Sequence, residues 1–279
     1  MTSYPVLFVG AGPGDPELIT VKGQKALQEA DLVIYAGSLV PQALLQWTKP
    51  GCGHINSASM HLEEFVSLMI KNHKSGKKVV RLHTGDPSLY GAIAEQTAEL
   101  KKHDVPFNVI PGVTAAFGAA AAMGIEYTLP EITQTLILTR ISGRTPVPES
   151  ENLESLAAHK ASMAVYLSIS MIDRVAEILE RTYGKDCPAA VACCVSQPDE
   201  RIFHTTVSEL PALVKKENIR KQALIIVSRV LDDKLQEANQ KSRLYDKSFS
   251  HEYRNSRVDP VRQFPVNNLL SNPKGFKNP

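Results

Sequence analysis

Hydrophobic and polar positions along the first 231 residues fall into two rhythms, short unbroken apolar runs and longer stretches with helical spacing. Residues 5–10 (Pro-Val-Leu-Phe-Val-Gly) form a run of the first kind that ends in glycine, as a strand buried on both faces requires. Leu18, Ile19, Ala26, Leu27 and Ala30 are spaced for a helix over 18–30, and 32–36 reads as the next strand. The same reading predicts a helix over 61–75 closed by Gly76, a strand over 78–83, a helix over 89–103 and a strand over 106–110. Strands alternating with helices in this way imply a parallel sheet covered on both faces.

A Pro111-Gly112 break is followed by an alanine-rich helix over 113–123. The pattern then predicts a strand over 134–140, a helix from about residue 152, a strand over 162–168 and a helix over 171–182. Residues 188–195 and 201–206 read as an antiparallel hairpin around Gln197-Pro198-Asp199, followed by a helix over 207–217 and a strand over 223–228. The expected fold class is therefore α/β with two domains, 1–112 with a mainly parallel sheet and 113–231 with a mixed sheet, and a ligand cleft between them. Residues 232–279 form a C-terminal extension in which Asn and Pro accumulate, and its last ~20 residues are expected to be mobile.

Composition narrows the class. Of 279 residues 43% are hydrophobic and 22% charged, enough for a sizeable core. Apolar runs such as 115–123 and 223–227 fall short of the ~18–20 residues of a membrane span. The first residues, Met1-Thr2-Ser3-Tyr4-Pro5, lack a basic segment followed by an apolar one, and the expectation is a cytosolic rather than a secreted protein. Cys52, Cys187, Cys193 and Cys194 include no C-x-x-C pair, which argues against a zinc ribbon or a disulfide framework, and no protein-held metal is expected. The formal charge of +2 divides into +3 on residues 232–279 and −1 on the rest, so the body has no positive field to attract nucleic acid.

Three glycine loops carry the candidate chemistry. Gly10-Ala-Gly-Pro-Gly-Asp-Pro16 places Asp15 where a dinucleotide fingerprint needs its third glycine, and Pro16 removes an amide, which argues against a bound pyrophosphate. A tight turn in which Asp15 caps a helix is an equal reading of that loop. Thr84-Gly-Asp-Pro-Ser-Leu89 and Pro111-Gly-Val-Thr-Ala115 follow two further strands, at the carboxyl ends where open α/β sheets bind ligands.

In this order the three loops resemble the tetrapyrrole (corrin/porphyrin) methylase family. Narrower stretches are similar to the branch that methylates C-11 of precorrin-4 or cobalt-precorrin-4 in cobalamin biosynthesis. They are Tyr35-Ala-Gly-Ser-Leu39, Met60-His-Leu-Glu-Glu64, Arg81-Leu-His-Thr-Gly-Asp86, Thr139-Arg-Ile-Ser-Gly-Arg-Thr-Pro-Val-Pro-Glu149 and Asn218-Ile-Arg-Lys-Gln-Ala223. With the run from Ser242 to Arg254, the likeness covers roughly residues 4–254. It implies a homodimer that binds S-adenosylmethionine between its domains and acts on a tetrapyrrole, with neither nucleic acid nor membrane as partner. Carried over residue by residue, the cofactor contacts would be Pro13, Thr84, Gly85, Asp86, Leu89, Thr114, Ala115, Leu167, Val195 and Ala223. The chain departs from the family at Val195-Ser196, where a glycine or another small residue is common, and at Cys193-Cys194.

Methyl transfer to a ring carbon develops positive charge on the macrocycle, which a nearby carboxylate stabilises. Asp15 and Asp86 are the candidates, each with helix capping as its alternative role. The acetate and propionate groups of such a substrate call for local cations, and Arg140 and Arg144 flank a glycine loop suited to clamping them. His61 is a further candidate contact; Arg81, His83, Arg220 and Lys221 are weaker ones. Three rivals stay open at this stage: another position of methylation, an RNA ribose methylase, and a nucleotide-binding module without transfer.

Overall fold

The computed structural model describes residues 4–232, 235, 248–250 and 252–254. The chain divides into two compact units, Met1–Ala238 and Asn239–Pro279. Most of the readings for residues 232–279, the mobile tail included, lie outside the described residues. Among the described residues no helix is long and apolar enough to cross a membrane.

Within the first unit, β1 (Val6–Gly10), β2 (Leu32–Tyr35), β3 (Gly53–Asn56), β4 (Val79–His83) and β5 (Phe107–Ile110) form one sheet. Their order is β3-β2-β4-β1-β5, and every pair is parallel. The unbroken apolar run of β1 follows from its place between β4 and β5. Val6 and Phe8 enter a core with α2 (Leu62–Lys74) and α3 (Ile93–Lys102), while Leu7 and Val9 face α1 (Val21–Glu29) on the other side.

Two differences from the sequence reading have simple causes. β3 was not expected, because this edge strand is exposed except at Ile55 and so carries no apolar rhythm. α3 begins at Ile93 rather than 89, because Tyr90 (φ 56°) and Ala92 (φ 49°) are left-handed and cannot continue a helix.

A second sheet contains β6 (Leu136–Arg140), β7 (Ser162–Tyr166), β8 (Pro188–Cys193), β9 (Arg201–Thr206) and β10 (Ala223–Val227). Its order is β6-β7-β10-β8-β9; β6 and β7 are parallel and the other pairs antiparallel, so it is mixed. Central β10 sends the fully buried Ile225 and Ile226 to opposite faces, each burial stabilising by about 1.5–3 kcal/mol. One face is covered by α5 (Leu153–Ala157), α6 (Ile172–Tyr183) and α7 (Leu210–Lys216). The other holds α4 (Ala115–Met123), whose Ala116, Ala119 and Ala120 pack on Ala164, Ala190 and Ala192. Small residues on both sides let helix and sheet approach closely. Chain leaving β5 at the rim of the first sheet thus enters the core of the second within a few residues, and the candidate site lies where that crossing occurs.

Candidate functional site

Because β1 lies between β4 and β5, the loops that leave the carboxyl ends of these three strands are neighbours. They are joined backbone to backbone. Gly12 N donates to Gly85 O (3.2 Å) and Gly85 N to Gly12 O (2.8 Å). A Cβ added at Gly10 would stand 2.6 Å from Gly112 Cα, and one at Gly112 only 2.2 Å from Gly85 O. Glycine is needed at 10 and 112 for this close approach. At Gly85 the need is a positive φ of 60°, and there the nearest atom to an added Cβ is Thr114 Cα at 3.7 Å.

Asp86 seals the junction. Its Oδ2 accepts from Gly112 N (2.8 Å) and its Oδ1 from Ser88 N (2.7 Å). With both oxygens engaged by backbone amides, Asp86 is a positioning group, which corrects the expectation that its carboxylate is aimed at a ligand. Asp15 is used differently. Its Oδ1 accepts from Glu17 N (2.8 Å), capping the turn at Pro16–Leu18, whereas its Oδ2 makes no hydrogen bond with a described residue. The capping reading of Asp15 is therefore correct for one oxygen and leaves the second available.

The opposing side comes from the loops after β7 and β8. Asp15 N donates to Ser196 Oγ (2.9 Å), and Gly14 packs so closely that an added Cβ would meet Gln197 Cγ at 2.3 Å. Ser196 (φ 59°), Cys194 (φ 49°) and Leu167 (φ 52°) are left-handed, as are Tyr90 and Ala92 across the junction. Such a concentration of non-glycine residues in a sparsely populated conformation marks a site held in shape by its surroundings. Pro13 and Val195 are buried, both against Gly118 of α4, so only their backbones can serve a ligand. Leu167, in contrast, is 64% exposed. Ala223 pairs with Cys193 in the ladder, and Leu89 N donates to Asp86 O (3.2 Å), which brings both to the edge of this arrangement.

Tyr166 is a functional residue the sequence reading missed. Its hydroxyl lies 2.7 Å from Thr114 Oγ1 and accepts from Ala116 N (2.9 Å), capping α4, whose N-terminus has no side-chain cap of its own. Burial raises the phenol above its ordinary pKa, partly opposed by these two bonds. A tyrosine ending a strand is no signal by itself, and its partners lie some fifty residues away. Tyr166→Phe leaves the Ala116 amide without its cap, and thermal denaturation should report a loss of about 1–2 kcal/mol.

The expected cations are mostly turned elsewhere. Arg140 donates to Thr145 O (2.9 Å) and Pro146 O (2.8 Å), closing its own loop, so its guanidinium is committed to carbonyls rather than open as a clamp. Arg144 is exposed and makes no hydrogen bond or ion pair with a described residue. His61 is exposed at the start of α2, where its backbone N donates to Glu64 Oε2 (2.6 Å). Arg220 Nε donates to Asn218 Oδ1 (2.9 Å) and Lys221 is exposed.

Arg81 and His83 are buried beneath the rim. Arg81 donates to Ser57 Oγ (2.8 Å) and Gln96 Oε1 (3.3 Å) and lies over Phe65, with no carboxylate beside it. Burial lowers its pKa to about 10, so it remains charged. His83 stacks on Phe8 (5.8 Å between ring centres), its Nε2 has no partner, and burial together with the Arg81 charge lowers its pKa to about 3.

Residues 5–211 match the family model described as tetrapyrrole (corrin/porphyrin) methylases. A cobalt-precorrin-4 C(11)-methyltransferase from Methanocaldococcus jannaschii is 53% identical over 252 residues, covering 90% of this chain and 96% of the relative. The X-ray structure of a cobalamin biosynthetic enzyme, cobalt precorrin-4 methyltransferase, superposes with a TM-score of 0.79 at 48% identity, over 82% of this chain and 96% of that one. A uroporphyrin-III C-methyl transferase from Thermus thermophilus, complexed with S-adenyl homocysteine, superposes with a TM-score of 0.68 at 28% identity, over 82% and 94% of the two chains.

Proposed function

The chain belongs to the tetrapyrrole (corrin/porphyrin) methylase family, and from that premise we propose that it transfers a methyl group from S-adenosylmethionine to C-11 of precorrin-4 or cobalt-precorrin-4 in cobalamin biosynthesis. The observation that carries the reading is the junction of Gly10, Gly85 and Gly112, beside which Thr114 bonds to Tyr166 and the loop holding Asp15 bonds to Ser196. The name of the Methanocaldococcus jannaschii relative adds the position of methylation. Cobalt, where present, belongs to the substrate.

The residues fit a cationic donor. The loops at 10–16, 84–92, 111–115, 167–171 and 194–197 contain two aspartates and no lysine or arginine, which suits a sulfonium and disfavours a polyphosphate. At Gly85 the positive φ favours glycine and Thr114 Cα lies 3.7 Å from where a Cβ would stand, and Thr84, Leu89, Thr114, Ala115 and Ala223 are the residues proposed to line the donor. When bound, S-adenosylmethionine supplies an electrophilic methyl group on a positively charged sulfur that departs neutral.

The protein's own task is alignment, because transfer forms one carbon–carbon bond, breaks one carbon–sulfur bond and needs no covalent help. Positioning of this kind supplies up to ~7–11 kcal/mol of a barrier, and the backbone-to-backbone glycine contacts are the rigid part that delivers it. Leu167 presents an apolar surface that keeps water from the reacting atoms. Asp15 Oδ2, the free carboxylate oxygen, stabilises positive charge developing on the macrocycle and receives the proton that the ring carbon or its conjugated nitrogen releases. Arg144 contacts a substrate carboxylate. The family resemblance supports a homodimer in the cytosol, and the net charge of −1 on the body argues against a nucleic-acid partner.

Incubation with methyl-labelled S-adenosylmethionine and cobalt-precorrin-4 should place label on C-11. Label entering only uroporphyrinogen III or an earlier precorrin overturns the assignment in favour of another methylase of the family. Asp15→Asn keeps the cap to Glu17 and should lower kcat by about 10²-fold, with S-adenosylhomocysteine affinity unchanged by calorimetry.

A further inference from the structure

Tyr90 is a large aromatic residue held where such residues are rarely found. Its φ is 56°, a strained conformation for a bulky side chain, and the residue is 43% exposed. Among the described residues the hydroxyl has no hydrogen-bond partner that would account for this placement. Its ring centre lies 5.6 Å from that of Tyr166, the residue that caps α4 at the glycine junction. Burial raises the Tyr90 phenol pKa, partly opposed by the Arg140 charge.

The surrounding chain enforces this pose. Gly91 follows, and an added Cβ there would stand 2.3 Å from Pro87 O, so the loop curls as tightly as it can just beyond Tyr90. The next two carbonyls, of Gly91 and Ala92, accept from Gln96 Nε2 at 3.4 and 3.1 Å. Gln96 is itself fixed by the buried Arg81, which donates to its Oε1. A buried cation without a carboxylate partner is costly in a core. Arg81 donates to Ser57 Oγ (2.8 Å) and to Gln96 Oε1 (3.3 Å); the second bond orients Gln96, and Gln96 fixes the carbonyls on which the left-handed turn rests.

We infer that Tyr90 is a substrate-contacting wall of the site, against which the flat conjugated macrocycle lies, with the Arg81–Gln96 pair as the positioning group that holds it. The inference rests on the function proposed above and adds a specificity-determining residue to it. An exposed aromatic ring offers the face on which a flat conjugated ring stacks. A strained, exposed aromatic braced from the core on one side and touching the α4 cap on the other has the placement such a wall requires.

The test compares Tyr90→Phe with Tyr90→Asn; asparagine tolerates the left-handed conformation and so adds no strain. Tyr90→Phe should keep KM for the tetrapyrrole within about twofold, and Tyr90→Asn should raise it about tenfold or more. Affinity for S-adenosylhomocysteine, measured by calorimetry, and the melting temperature should be unchanged in both. Tyr90→Asn with KM near wild type overturns the inference, because no contact was lost. A parallel loss of S-adenosylhomocysteine affinity overturns it too, because Tyr90 would then only support the cofactor loop. Wild-type protein that methylates no tetrapyrrole defeats the proposed function, whereas wild-type turnover with an unaffected Tyr90→Asn variant defeats this inference alone.

Discussion

Gly112→Ala should abolish methyl transfer and lower unfolding stability by more than ~3 kcal/mol, because a single added methyl meets backbone on two sides. Its carbon would stand 2.2 Å from Gly85 O and 2.8 Å from Gly10 Cα. Neither is the end of a flexible side chain. Relief requires β1, β4 and β5 to spread at their carboxyl ends, which strains the Gly12–Gly85 hydrogen bonds and the bond from Gly112 N to Asp86. A fall in melting temperature of about 10 °C, with no detectable S-adenosylhomocysteine binding, is the expected result. The control is Gly76→Ala, where the glycine also has positive φ (77°) and no atom lies within 4 Å of an added Cβ. That change should cost about 1 kcal/mol through conformation alone. Equal losses at 76 and 112 would show that the contact between the loops is not what matters.

The second large effect is a loss of stability in acid traceable to His83. Its pKa is about 3 in the folded chain and 6.5 as the ordinary value, so above about pH 6.5 it is neutral in both states and contributes no pH dependence. As pH falls through that value the unfolded chain takes up a proton that the folded one refuses. Stability then declines until about pH 3, by about 5 kcal/mol in all. Burial against Phe8 is the main cause and the Arg81 charge the second. Urea denaturation at about pH 7 and about pH 4.5 should show a wild-type loss about 2–3 kcal/mol larger than that of His83→Phe. Surface carboxylates titrate alike in both proteins and cancel in the comparison. The same pH dependence in the variant would place the acid sensitivity elsewhere.

Much of this protein is legible in its one-dimensional pattern. Apolar runs placed β1, β2 and β4, helical spacing placed α1 and α2, and the break at Pro111-Gly112 marked where the chain passes from one sheet to the other. These features are local, because a strand covered on both faces must be continuously apolar and a helix on a sheet must be apolar every third or fourth residue. The glycine loops were legible for a related reason, since few other residues permit such turns.

What side chains do was settled only in three dimensions. Asp86 and Arg140 were both expected to reach toward a ligand, and each is bound instead to backbone groups that folding brings beside it. β3 carries no apolar rhythm because one of its edges is open, and its pairing with β2 alone makes it a strand. Tyr90, Tyr166 and Ser196 owe their importance to partners on other elements, and no periodicity encodes a partner fifty or more residues away. Burial patterns determine which segments become strands and helices. The direction of a polar group, and whether it serves the fold or the chemistry, is decided by the neighbours that chain closure supplies.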